Sequence, residues 1–198
     1  GAYNGQPAYL NRTTGVWTTL PCSMQTGALR AVTPDGKFAV GSVNNGDIRG
    51  TDYTPERPAM WDLTTNTDVT PKDLPSMDPF GESLSQFYVR CVSVSADGRY
   101  VLLQSLAYGM ASYVYDRQSD EALKWLCLGY TTTDGKKYNQ NISNLIETQP
   151  VAISPNAEWV LCSARVTAFG DEYVCPVRYN VKDKTFEVFD KTFEDMDV

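Results

Sequence analysis

"TPDGKFAVGSV", residues 33–43, is a turn signal followed by a β-branched apolar run, and the chain repeats it. It returns as "SADGRYVLLQS" at 95–105 and, degraded, as "SPNAEWVLCSA" at 154–164. Aligned on Pro34, Ala96 and Pro155, the copies stand 62 and 59 residues apart. A short apolar strand precedes each turn: "ALRAV" (28–32), "FYVRCVSV" (87–94) and "PVAI" (150–153). Asp35-Gly36 and Asp97-Gly98 offer the positive φ of a two-residue hairpin turn, and Asn156-Ala157 is a weaker form of it. The spacing predicts hairpin turns at 33–36 and 95–98 on one rim, with Val40, Val101, Leu103 and Val160 buried behind them.

A second hairpin follows each first one. Its leading strand ends in an aromatic and then Asp or Asn: Trp61-Asp62, Tyr115-Asp116, Tyr179-Asn180. Polar turns ("TTNT", "QSD", "KDK") and closing strands such as "EALKWLCL" and "TFEVFD" come next. One further copy opens the chain as "PAYLNRTTGVWTTLP" (7–21), with "PAYLN" aligned on "PAMWD" at 58–62. Each unit is thus four short antiparallel strands, and such a sheet repeated radially is a β-propeller blade. A two-sheet sandwich predicts no repeated turn at near-constant spacing.

The expected fold is therefore all-β, a propeller-like array of four-stranded blades in one domain spanning 1–198. Its parts are a half blade at 7–21 and blades at 28–74, 87–128 and 150–190. Helical signal is confined to "ISNLIE" (142–147), a turn or two or else loop. Three and a half blades fall below the usual minimum of about four. The expectation is an incomplete ring or a piece of a larger propeller. Its open edges, near 7–12 and 176–189, would be covered by the remaining blades of a longer chain or by self-association.

The repeated phrase resembles the Ser-Pro-Asp-Gly-Lys turn of TolB-type, WD-like propellers. It matches Thr33 to Lys37 and Ser95 to Arg99 well and Ser154 to Glu158 poorly, and the aromatic-Asp pairs stand where the WD dipeptide would. The resemblance implies architecture and an extracytoplasmic setting (periplasmic, outer-membrane-associated or secreted). It does not imply an activity, because propellers serve as scaffolds, lectins, receptors and enzymes.

Composition narrows the function. The 198 residues carry 17 Lys and Arg against 24 Asp and Glu, interspersed, for a net charge of −7. Nucleic-acid binding needs clustered cations and is disfavoured. No apolar run approaches the roughly 18 residues that would span a bilayer, so no membrane insertion is expected. The chain has no histidine, which removes Ser-His-Asp and Cys-His catalysis and the HExxH metal site. It has no nucleophile elbow, Walker loop or dinucleotide fingerprint. No catalytic residue, metal ligand or cofactor is assigned, and "TTDGKKYNQN" (132–141) lacks the alternating acids of a calcium loop. Asp62 and Asp116 precede turns, where bonding turn amides is their expected role.

Cys22, Cys91, Cys127, Cys162 and Cys175 have no CxxC spacing. Buried thiols are expected, with Cys127, Cys162 or Cys175 the candidates for one disulfide. Trp17, Trp61, Trp125 and Trp159 read as core or inter-blade packing.

The longer connections fall on the rim opposite the Asp-Gly turns: 44–57, 106–111 and 165–175 within blades, 70–86 and 129–149 between them. Long loops on a rigid scaffold carry function. Their aromatics and charges are the candidate ligand-binding set: Arg49, Asp52, Tyr53, Arg57, Tyr108, Tyr130, Phe169, Glu172 and Tyr173. The expected function is a non-enzymatic binding module for a protein or glycan partner. The alternative is a carbohydrate-active or peptidase-associated propeller domain.

Overall fold

Asp-Gly turns between β-branched runs should fold back as antiparallel hairpins, and they do. The computed structural model describes residues 1–44, 56–72, 74, 89–105, 112–125, 145–168, 171–183 and 185–188. The first strands are β1 (Ala2–Tyr3), β2 (Gln6–Asn11) and β3 (Val16–Thr19), then β4 (Thr26–Val32), β5 (Phe38–Asn44), β6 (Glu56–Asp62) and β7 (Thr67–Asp68). There follow β8 (Val89–Val94), β9 (Tyr100–Ser105), β10 (Ser112–Asp116) and β11 (Glu121–Trp125). The last are β12 (Leu145–Ile153), β13 (Trp159–Ala168), β14 (Asp171–Asn180) and β15 (Thr185–Val188). They form a three-stranded opening sheet, β1-β2-β3, and three four-stranded antiparallel sheets in chain order. The array is all-β and propeller-like, and its separate sheets are not closed into a ring.

Each sheet is apolar on both faces because alternate residues point to opposite sides. In β5 and β6, Ala39, Ala59 and Trp61 face back toward Tyr9 and Leu20 of the opening segment. Phe38, Val40 and Met60 face forward onto Val89, Cys91, Val101, Leu103, Tyr113 and Tyr115 of the next sheet. Leu102 and Val114 in turn face forward onto Ile153, Val160, Cys162, Val177 and Tyr179. Val40, Val101, Leu103 and Val160 are all buried, as their turn-then-apolar spacing predicts. Cys91 and Cys162 lie in these layers as buried thiols, and burial pushes Cys91 up to about 12.

The three repeated turns are built identically, the degraded copy included. The hydroxyls of Thr33, Ser95 and Ser154 donate to Oδ1 of Asp35, Asp97 and Asn156 at 2.6, 2.6 and 2.8 Å. The same hydroxyls accept from the backbone N–H of Phe38, Tyr100 and Trp159 at 3.1, 2.9 and 2.9 Å. Each Oδ1 also accepts from the N–H two residues on, at 3.0, 3.0 and 3.2 Å. The loop is therefore a four-residue clasp, with Thr33 N–H bonded to the Phe38 carbonyl at 2.9 Å, and not the two-residue turn that Asp-Gly alone suggests. Only its third position takes positive φ: Gly36 at 70°, Gly98 at 72° and Ala157 at 56°.

The second turns bond back to the first. Leu63, Arg117 and Val181 donate backbone N–H to the carbonyls of Lys37, Arg99 and Glu158 at 2.8, 3.0 and 2.9 Å. Asp62, Asp116 and Asn180 accept turn amides from Thr64, Gln118 and Lys182 at 2.8, 2.9 and 3.0 Å, and Asn11 does the same for Thr13 at 3.0 Å. This is the amide-bonding role expected of Asp62 and Asp116. Asp116 also takes a bidentate pair from Arg99 at 2.8 and 2.6 Å. The turns share one rim: Ala96 N–H reaches the Pro155 carbonyl at 3.0 Å, and Arg117 lies 3.8 Å over the Phe38 ring of the preceding sheet.

Several expectations are corrected. Within the stretch 165–175, expected as loop, residues 165–168 and 171–175 are strand, because β13 and β14 stay paired out to Ala168 opposite Asp171. Residues 145–149, read as loop or helical turn, extend β12, whose partners Ser163 to Val166 supply the ladder. The opening unit has a third strand, β1, paired with β2. Trp17 is not core: it is 43% exposed and stacks on Tyr3 with ring centroids 5.4 Å apart. Trp159 is partly buried under the guanidinium of Arg178 at 4.1 Å, while Trp61 is buried and donates to the Pro21 carbonyl at 2.8 Å. Each first strand also carries a bulge that the sequence pattern conceals, at Arg30, Val92 and Val151.

Two predictions follow from this frame. A Cβ at Gly41 would lie 2.0 Å from the Ala28 carbonyl oxygen, whereas one at Gly36 meets nothing within 4 Å. Gly36→Ala therefore costs only the left-handed backbone term, about 1–2 kcal/mol. Gly41→Ala forces strands apart and costs about 3 kcal/mol or more, and urea denaturation of the two variants ranks them.

The second concerns acid. Hydroxyl bonds from Thr33, Thr64 and Ser95 hold Asp35, Asp62 and Asp97 below the usual carboxylate range, and the Arg99 hydrogen bonds bring Asp116 to about 2. A carboxyl depressed on folding stabilises the native state above its unfolded value, about 3.9, and loses that contribution as pH falls through the folded value. The melting temperature should hold from neutrality to about pH 5 and fall steadily below about pH 4. Asp97→Asn with Asp116→Asn should give a lower plateau and a shallower acid decline in a thermal scan.

Candidate functional site

At the rim opposite the clasps, strand ends that should be apolar carry a polar ladder. Second-strand residues Ser42 and Gln104 are buried, and Ser163 occupies the same register in β13. Their first-strand partners are Ala28, Arg90 and Gln149. Arg90 turns its Nε and a terminal nitrogen onto Gln104 Oε1 at 3.0 and 2.7 Å. Burial foremost, and the neighbouring Arg30 charge next, lower its proton affinity, while Glu56 opposes them.

Arg30 reaches this cluster because it is the extra residue of the β4 bulge, opposed by no residue of β5. Its Nε donates to Ser42 Oγ at 3.4 Å, and its terminal nitrogen pairs with Glu56 at 3.2 Å. Glu56 begins β6 opposite Asn44, which accepts the Thr26 hydroxyl. Arg30 thus pairs with Glu56 while Arg90, from the neighbouring sheet, holds Gln104, so the three charges of the cluster sum to one positive on an acidic protein. Such a group can hold a carboxylate or a carbonyl-rich segment by charge-assisted hydrogen bonds. The signal was legible only as Arg30 and Arg90 standing inside otherwise apolar strands.

The candidate ligand-binding residues fall unevenly. Arg57 lies within β6 opposite Val43, exposed, on this rim beside Glu56; its placement in a loop is corrected. Glu172 and Tyr173 lie in β14, opposite Thr167 and Val166, and are strand residues of the long hairpin where a loop was expected. Arg49, Asp52, Tyr53, Tyr108, Tyr130 and Phe169 lie outside the described residues, as does the segment 132–141. Among the described residues no group of three or more His, Cys, Asp or Glu is placed to hold a metal ion. No helix among them is long and apolar enough to cross a membrane.

No protein-family model matches the chain, and no curated protein is similar to it in sequence. Solved structures are similar in fold. TolB from Acinetobacter baumannii superposes with a TM-score of 0.53 at 12% identity, over 91% of this chain and 36% of TolB. The β-propeller domain of the Trilobed protease from Pyrococcus furiosus, described as having an open velcro topology, gives 0.49 at 11% identity. That match covers 92% of this chain and 48% of the other. The likeness to TolB shows a β-propeller type of fold, and the chain spans about a third of its length.

Gln104 is the acceptor on which half-buried Arg90 depends. Gln104→Leu should lower stability by about 1–2 kcal/mol, because it removes the acceptor of a half-buried charged donor that water only partly replaces. Adding Arg90→Leu should recover most of that loss, and a urea-denaturation double-mutant cycle measures the coupling.

Proposed function

We propose that this protein is a non-enzymatic binding module that receives a protein or glycan partner on the rim opposite the clasps. The observation that carries this reading is the inequality of the two rims. On the clasp rim the turn hydroxyls, carboxylates and amides are bonded to one another within four-residue loops. The opposite rim is where β5 ends and β6 begins, eleven intervening residues apart, and where exposed Arg57 and the Arg30–Glu56 and Arg90–Gln104 groups stand. Recognition surfaces favour Arg and Tyr on loops held by a rigid scaffold. An extracytoplasmic setting, implied by the TolB-type turn phrase, belongs to the same reading.

A thermal-shift screen of glycans and peptides should find a ligand. The triple change of Tyr53, Arg57 and Tyr173 to Ala should then abolish the shift, leaving the melting temperature of the free protein within a few degrees. Binding that survives the triple variant but is lost on changing Lys37 and Arg99, on the clasp rim, overturns the assignment. Cleavage products from a screened glycan or peptide, detected by chromatography, establish the carbohydrate-active or peptidase-associated alternative.

A further inference from the structure

The inter-sheet packing has a direction, and register identifies which residues serve it. The residue before each turn-bonding Asp or Asn faces back onto the preceding sheet: Trp61, Tyr115 and Tyr179 are 0, 2 and 3% exposed. In the opening sheet that position, before Asn11, is Leu10, and it is 42% exposed. Trp17 stands directly opposite Leu10, and the Tyr3–Trp17 stack covers the same face, under which Ala8 is wholly buried. This is a backward-packing face with no sheet behind it among the described residues.

The other end shows the converse. Val40 and Leu102, two residues beyond the clasp-bonded amide, face forward onto the next sheet and are both 0% exposed. Their equivalent in the last sheet is Leu161, at 40% exposed, with exposed Val174 and Pro176 on the neighbouring strand. One chain thus carries a forward face at one end and a backward face at the other. These are the two kinds of face that bury each other at three interfaces within the molecule.

We propose that two copies of this chain associate head to tail, the backward face around Leu10 and Trp17 of each packing on the forward face around Leu161 of the other. Two such contacts related by a two-fold axis close a ring, so the assembly stops at the dimer. With four sheets per chain, the opening one three-stranded, the ring has eight sheets, within the usual propeller range of about 4–8 blades. The inference continues an interface that the molecule already uses, and it stands whether or not the opposite rim binds a ligand.

Sedimentation velocity on the 198-residue chain, from micromolar to submillimolar concentration, tests it. The expected result is a species of twice the 22.0 kDa chain mass. Leu10→Glu and Leu161→Glu change exposed residues, so each variant should keep its circular dichroism and melting temperature. Each should weaken dimerisation by about 100-fold, the scale of a central interface residue. Mixing the two variants restores one unspoiled contact and should recover a mixed dimer. A monomeric wild type, a dimer indifferent to either change, a mixture without recovery, or growth into long oligomers each overturns the proposal.

Discussion

A small sheet with apolar side chains on both faces is not stable as a single layer, and the sheets here are of that kind. Burying one Val, Leu or Met side chain contributes about 1.5–3 kcal/mol, and that gain is realised only when a second sheet covers it. Val40 and Met60 require the sheet that follows, just as Trp61 and Ala59 require the one before. Stacking is therefore the condition for folding, as in other repeat arrays whose units contact only their neighbours. The same requirement makes the exposed faces at Leu10 and Leu161 conspicuous, and it gives the array its direction.

Stacking alone would let sheets slide or rotate. The polar rim prevents this by joining turns within a sheet and between sheets. Each hydroxyl of the clasp both donates and accepts, so one side chain ties the turn's carboxylate or amide oxygen to the backbone of the strand that follows. The Arg99–Asp116 fork and the Arg117 guanidinium over Phe38 add charged links, the latter between neighbouring sheets. A rim bonded largely to itself offers a ligand little, which is why recognition is proposed for its opposite. There the strands end in groups that are bonded yet partly exposed, as with Arg30 and Glu56.

Fold and site were unequally legible because their causes act over different distances. The clasp is local: Thr33, Asp35, Gly36 and Phe38 bond among themselves, so a repeated five-residue phrase reveals it, even where Asn156-Ala157 has replaced Asp-Gly. The polar ladder is not local. Arg30 meets Glu56 across 26 residues only because a bulge swings it out of register, and nothing in "ALRAV" announces a bulge. The extension of β12 through "LIETQ" was likewise hidden, since a polar run becomes strand only when β13 lies beside it.

The sequence by itself determined where the repeated turns fall and the alternation that makes each strand two-sided, because these depend on neighbours a few residues apart. Which apolar residue is buried was decided by tertiary structure. Trp17 and Trp61 are the same residue type, each in a strand of alternating pattern, yet one is exposed and the other sealed. The difference is a neighbouring sheet: Trp61 has one behind it, and Trp17 faces away from the stack. Burial depends on what lies about 10 Å off across a sheet interface, a distance that no local pattern in the chain encodes.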